Sequence, residues 1–181
     1  MANAPMTRTQ METALRQALT AQGLSHPAYA VVAPVVWAPA CPHLLIEVRA
    51  QGISQAGDPC FPGGRIESGE TPAQAAAREL REELGILADP AQFYGQLPTV
   101  QTYLGQKTDV FVCGLSPEEA AAARVNPGEV SALLRVPMSC FLARPRDASF
   151  SVDGHVIWGM TAGAIRHLCE AWVRAGLPGQ P

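Results

Sequence analysis

The chain has 181 residues, 48% of them hydrophobic and 16% charged, and a net charge of −3. That balance describes one globular domain with a real core, with room for a terminal extension, rather than a disordered chain. It argues against a general nucleic-acid surface, so a phosphate-rich ligand has to be met locally. No run reaches the ~18 apolar residues that span a bilayer, and the N-terminus lacks an apolar signal core, so a cytoplasmic protein is expected.

Residues 1 to about 6 read as disordered. Thr7 to Gln22 reads as an amphipathic helix with Met11, Leu15 and Leu19 on one side, packing on its own domain. Residues 1–25 are therefore an N-terminal extension, expected to be helical. Tyr29 to Trp37 is a valine-rich strand in which Pro34 marks an edge or a bulge. Leu44 to Arg49 is a second strand, and Gln51 to Pro59 a turn-rich loop.

A helix follows over Pro72 to Leu84. Thr71 is its N-cap, Pro72 fills the first helical position, Gln74 completes a capping box, and Gly85 supplies the stop. Ala73, Ala76, Ala77, Leu80 and Leu84 form its apolar face.

Phe93 to Leu97 and Asp109 to Leu115 read as strands, with Thr99 to Lys107 as strand plus loop between them. Val130 to Val136 is a strand, with a helical reading of SALLR left open. Pro137 to Leu142 suits a helical turn. Ser149 to Trp158 carries Asp153-Gly154, a type I′ hairpin turn. Ile165, Leu168, Cys169 and Trp172 mark a closing helix, and the PGQP tail frays. Strands and helices mix without repeated βαβ units, which suits an α/β/α sandwich around a mixed β-sheet.

The helix over Pro72 to Leu84 carries a charge anomaly. Glu79, Glu82 and Glu83 stand at i, i+3 and i+4 near its carboxyl end, on a face beside the apolar stripe. Like charges at these spacings destabilise a helix by ~0.2–0.5 kcal/mol per pair, and the helix dipole there favours cations. Arg78 can pair with Glu82. A hard divalent cation such as Mg²⁺ relieves more, because it prefers oxygen ligands and takes a few carboxylates plus substrate phosphates. The plainer alternative is a solvated acidic face.

The surrounding positions decide between the two. Gly64, Glu70, Arg78, Glu79, Leu80, Glu82, Glu83, Gly85 and Ile86 fill every fixed position of a Nudix box. The chain thus resembles Nudix hydrolases, which cleave a nucleoside diphosphate linked to another moiety, and residues 26–181 are expected to form that domain. The resemblance implies an α/β/α sandwich and a Mg²⁺ or Mn²⁺ cofactor. It makes Glu79 and Glu83 the first metal ligands, Glu82 a third, direct or through water, and the Gly64 carbonyl a fourth. It gives Glu70 a structural role, accepting hydrogen bonds from Arg78. Gly63 and Gly64 let the backbone approach metal and phosphates.

A narrower resemblance runs from residue 30 to 170. LLIEVRA (Leu44 to Ala50), Gly57, CFPGGR (Cys60 to Arg65), EVSALLRVP (Glu129 to Pro137) and VIWGMTA (Val156 to Ala162) are similar to segments of Nudix coenzyme A pyrophosphatases. The spacing from Arg49 to Gly57 is one residue short, and the usual basic residue inside it is replaced by Ile53 and Ser54. The implied reaction is metal-dependent cleavage of coenzyme A or acyl-coenzyme A to 3′,5′-ADP and (acyl-)4′-phosphopantetheine. The alternatives are another nucleoside diphosphate derivative, such as ADP-ribose or a nucleoside triphosphate, and a regulatory nucleotide-binding domain that does not turn its ligand over.

Other residues are weighed against plain structural roles. Catalysis would rest on Glu79, Glu82 and Glu83, with Glu82 or Glu129 as proton acceptor, and Glu118 and Glu119 compete with Glu129. Arg49 and Arg65 flank the phosphate-facing loop, where a guanidinium can clamp phosphate bidentately. Trp158 reads as a core tryptophan in preference to a surface for stacking adenine. Five spread cysteines without a CxxC pair read as reduced thiols, mostly buried, and Cys60 has no partner to activate it. His26, His43, His155 and His167 lack zinc-site spacing. The expected partner is a small nucleoside diphosphate, not nucleic acid or membrane.

Overall fold

The computed structural model describes residues 6–19, 27–39, 41–102 and 104–178. The expected disorder of residues 1–5, the helical reading of 20–22, His26 and the fraying of 179–181 lie outside them.

Strand β1 (Tyr29–Val36) is buried from Ala30 onward, the pattern of a strand covered on both faces. It runs parallel to β6 (Lys107–Leu115), from Tyr29 opposite Thr108 to Val36 opposite Leu115. Its other edge changes partner. Tyr29, Ala30 and Val31 pair with Arg65, Gly64 and Gly63 of β4 (Gly63–Arg65), whereas Val35 and Val36 pair with Leu44 and His43 of β2 (His43–Arg49). Pro34 falls in the gap between these two ladders. The expectation of an edge or bulge is corrected to a central strand whose proline sits where no antiparallel neighbour needs its missing N–H.

The same sheet continues with β2 antiparallel to β3 (Pro59–Cys60) and to β7 (Val130–Pro137), and with β5 (Gly95–Gln101) antiparallel to β6. It is a mixed sheet of seven strands among the described residues. Val130–Pro137 is a strand throughout, so SALLR is not helical. The strand expected at Phe93 begins two residues later, because Pro90–Gln92 forms a 3-10 turn that Phe93 closes.

Helices cover both faces. Ala30, Val32 and Leu45 meet Ala75, Ala76, Leu80 and Leu84 of α2 (Pro72–Leu84). Val31, Ala33, Val35, Leu44 and Ile46 meet Ile165, Leu168, Cys169 and Trp172 of α5 (Gly159–Arg174) on the opposite face. Leu15 of α1 (Arg8–Ala18) and Leu19 join that second cluster, and the Arg16 guanidinium donates to the Phe93 and Gln92 carbonyls at 2.8 Å each. The result is an α/β/α sandwich.

Shorter elements finish the chain. They are α3 (Pro117–Ala121), α4 (Met138–Leu142), and a hairpin of β8 (Phe150–Val152) and β9 (His155–Ile157). Asp153 and Gly154 turn that hairpin with φ of 48° and 80°, as a type I′ turn requires. Among the described residues no helix is long and apolar enough to cross a membrane.

Candidate active site

The alternation of β2 places one carboxylate where the sequence reading had none. Leu45 faces α2, and a strand returns to the same face every second residue, so Glu47 faces α2 as well. Glu47 is 1% exposed. Its Oε1 accepts a hydrogen bond from the Cys60 thiol at 3.2 Å, and its Oε2 has no partner. Burial pushes its carboxyl well above the usual range. A charged residue inside LLIEVR was the available signal.

Helix α2 brings the box glutamates to this point. Thr71 and Gln74 close the capping box and Gly85 takes the left-handed conformation at the C-cap, which fixes the helix ends. Glu83 is 2% exposed, buried with Leu80 and Leu84 instead of beside them. Its Oε2 accepts from the Gly63 backbone N–H at 2.9 Å. Burial, and then the Glu47 charge, push its carboxyl up strongly. Glu79 is raised by burial against the pull of Arg78, and its carboxylate packs where a Gly64 Cβ would stand.

Arg78 organises the helix side. Its Nε and Nη2 bond the two oxygens of Glu70 at 2.8 and 3.2 Å, and Nη2 also reaches the Arg65 carbonyl at 3.1 Å. Its Nη1 bonds Glu79 at 2.7 Å and Glu82 at 3.1 Å. Glu70 thereby ties its loop to α2. Glu82, 44% exposed at its side chain, turns to solvent on the Arg78 side. The expectation that Glu79, Glu82 and Glu83 share one face is corrected: Glu83 points into the protein and Glu82 away from it.

Glu129 lies in an exposed loop, its Oε1 held by Asn126 at 3.0 Å, and its carbonyl accepts from Ala50 N–H at the end of β2. Its charge reaches Glu47, Glu79 and Glu83 and raises all three. Glu119 instead closes the capping box of α3, and Glu118 lies on its first turn. Carboxylates from β2, α2 and one loop are thus near enough to act on one another's charge. Among the described residues no three His, Cys, Asp or Glu side chains converge closely enough to cage an ion as they stand. The chemistry of the donor set fits a hard cation all the same: every member is an oxygen donor, and one buried oxygen has no partner.

A cavity of about 550 Å³ adjoins these glutamates through Cys60, Gly63 and Gly64. Arg49 lines it, with its Nε donating to the Ser54 carbonyl at 2.7 Å. Arg65 does not. It lies over the Tyr29 ring at 5.2 Å and donates to the Tyr29 hydroxyl at 3.0 Å. Gly63 and Gly64 both line the cavity, and a side chain on either would meet protein: β1 backbone at Gly63 and the Glu79 carboxylate at Gly64. Trp158 is 43% exposed at the cavity rim, which corrects the reading of a core tryptophan. The cysteines are less buried than expected: all five are free, Cys113 and Cys169 are buried, Cys41 and Cys60 partly so, and Cys140 is exposed.

Residues 27–152 match the family model described as NUDIX domain. A protein of Escherichia coli O6:H1 called "Uncharacterized Nudix hydrolase NudL" is 33% identical over 170 residues, covering 85% of this chain and 87% of that protein. The NudL of Escherichia coli K12 is equally similar. Among solved structures, a MutT/nudix family protein from Enterococcus faecalis has a TM-score of 0.64 at 10% identity, over 94% of this chain and 76% of that one. The NUDIX domain of Shewanella oneidensis NrtR, complexed with ADP ribose, has a TM-score of 0.59 at 19% identity, over 85% and 90%. The chain belongs to the Nudix family, hydrolases of nucleoside diphosphate derivatives.

Proposed function

We propose that this chain hydrolyses the diphosphate bond of coenzyme A or acyl-coenzyme A, using Mg²⁺ or Mn²⁺, to give 3′,5′-ADP and (acyl-)4′-phosphopantetheine. One observation carries the choice of substrate. The segments that resemble coenzyme A pyrophosphatases are far apart in sequence, yet Arg49, Cys60, Phe61, Gly63, Gly64 and Trp158 to Thr161 line the same cavity. That cavity is of a size to take a small-molecule ligand.

Glu79 and Glu83 would hold the cation, with the Gly64 carbonyl beside them and Glu82 through water. Bound there, the metal supplies charge neutralisation for the diphosphate and a lowered pKa for the attacking water. Arg78 holds Glu79 in place by an ion pair of 2.7 Å. Glu129 is the better proton acceptor of the two candidates, because Glu82 is engaged by the Arg78 guanidinium, whereas the partner of Glu129 is the neutral Asn126 amide. Arg49 reaches substrate from the cavity wall, whereas Arg65 would have to leave Tyr29 to do so.

The test is a substrate screen of purified protein with Mg²⁺ or Mn²⁺. Coenzyme A, acetyl-coenzyme A, ADP-ribose, NADH, diadenosine polyphosphates and nucleoside triphosphates are offered in parallel. Coenzyme A compounds should be cut fastest, and excess EDTA should stop the reaction. Cleavage of ADP-ribose with coenzyme A untouched would reject the substrate assignment. Ligand binding without turnover of any compound would favour a regulatory role.

A further inference from the structure

We infer that Glu47 supplies a sheet-side oxygen to the cation site, an inference that rests on the function proposed above. Glu47 lies outside the Nudix box, on β2 rather than on α2. Buried carboxylates are almost always paired with a cation or with several donors, because an unpaired one has given up its hydration with nothing in return. Glu47 has neither. Its one hydrogen bond comes from a thiol, a weak donor, and Oε2 has none. Arg49, the base whose charge it feels, gives its Nε to the Ser54 carbonyl.

The other charges that bear most on Glu47 are negative. Glu79 and Glu129 act on it, and it acts in turn on Glu83. The strand thus adds an acid to three others, at the one place where acids are already in excess. A neutral, purely structural Glu47 is the competing account. It predicts that Mn²⁺ affinity is indifferent to Glu47→Gln, which separates it from a ligand role. A divalent cation satisfies that oxygen and relieves the mutual repulsion together. A ligand on β2 would also join the sheet to the end of α2, so that loading the site braces two elements.

The experiment is Mn²⁺ binding to the full chain without substrate, followed by the electron paramagnetic resonance of free Mn²⁺. Parent protein, Glu47→Gln and Glu118→Gln are compared. Glu118 lies on the exposed first turn of α3 and controls for the loss of one negative charge. Glu47→Gln should bind Mn²⁺ at least about tenfold more weakly, the low end of what losing even a ligand's supporting partner costs. Glu118→Gln should match the parent. Thermal melts in EDTA should show Glu47→Gln folded and at least as stable as the parent, since it loses only a buried charge. Should Gln prevent folding, Glu47→Asp keeps the charge, withdraws it, and should weaken Mn²⁺ binding likewise. Parental affinity in a folded Glu47 variant would overturn the inference while leaving the proposed function standing. A parent that binds no Mn²⁺ would remove that function as well.

Discussion

Glu83 holds the most consequential proton in the molecule. A carboxyl whose proton affinity rises on folding binds protons more tightly in the native than in the unfolded state. Its contribution is therefore intact below about 4.5, the ordinary value, and is lost as pH climbs through its raised folded value. Glu47 is displaced the same way, chiefly by burial, so the pair acts in one direction. Protein in EDTA should lose melting temperature steadily from about pH 5 to about pH 9. In Glu83→Gln that fall should shrink by on the order of 5 °C, while turnover with metal nearly disappears. A melting curve indifferent to pH, or one equally steep in the variant, would show that burial of these acids costs nothing. The place of Glu83 near the end of α2 was open to a sequence reading because its spacing is local, although its burial was not. Glu47 was not, since its burial depends on Cys60 in a neighbouring strand and on the carboxyl end of a distant helix.

At the scale of elements, legibility follows the same division. Helix α2 runs over Pro72–Leu84, as read from Thr71, Pro72, Gln74 and Gly85, because capping and helix stops are decided within a few residues. The hairpin at Asp153-Gly154 was legible for the same reason. Pro34 misled because a proline reports only that an N–H is missing; which neighbour does without it is a tertiary fact. The Gly63-Gly64 pair shows two glycines doing different jobs in one short strand. A methyl on Gly63 would strike the backbone of β1, whereas one on Gly64 would strike only the mobile end of the Glu79 side chain. Gly63→Ala should therefore cost about 1–3 kcal/mol of stability, as overpacking does. Gly64→Ala should leave the melting temperature within about 2 °C but cut turnover by at least about tenfold, by pushing Glu79 off its place beside Arg78. Equal losses of stability in the two variants would show that both glycines serve packing alone.

Over the whole molecule, the sheet does the assembling. Its central strand pairs with β4 at one end and β2 at the other, which sets the carboxylates of β2 and α2 beside the Gly63-Gly64 segment and opens the cavity next to it. Leu104, after β5, and Trp158, at the start of α5, line the cavity as exposed apolar side chains. Trp37 and Trp172 are buried and stacked on each other at 5.6 Å, leaving Trp158 as the exposed tryptophan of the three. Changes in indole emission on adding ligand should therefore report Trp158. If the adenine of coenzyme A stacks there, 3′,5′-ADP should quench that emission and Trp158→Ala should abolish the quench. Loss of base stacking is worth ~1–3 kcal/mol, so KM for coenzyme A should rise about 5- to 160-fold in Trp158→Ala and much less in Trp158→Phe. Because Trp158 offers no carboxylate to a cation, metal binding should be unchanged. An alanine variant with parental KM and quench would place the base elsewhere in the cavity, and Trp158 would then be a rim residue without a part in recognition.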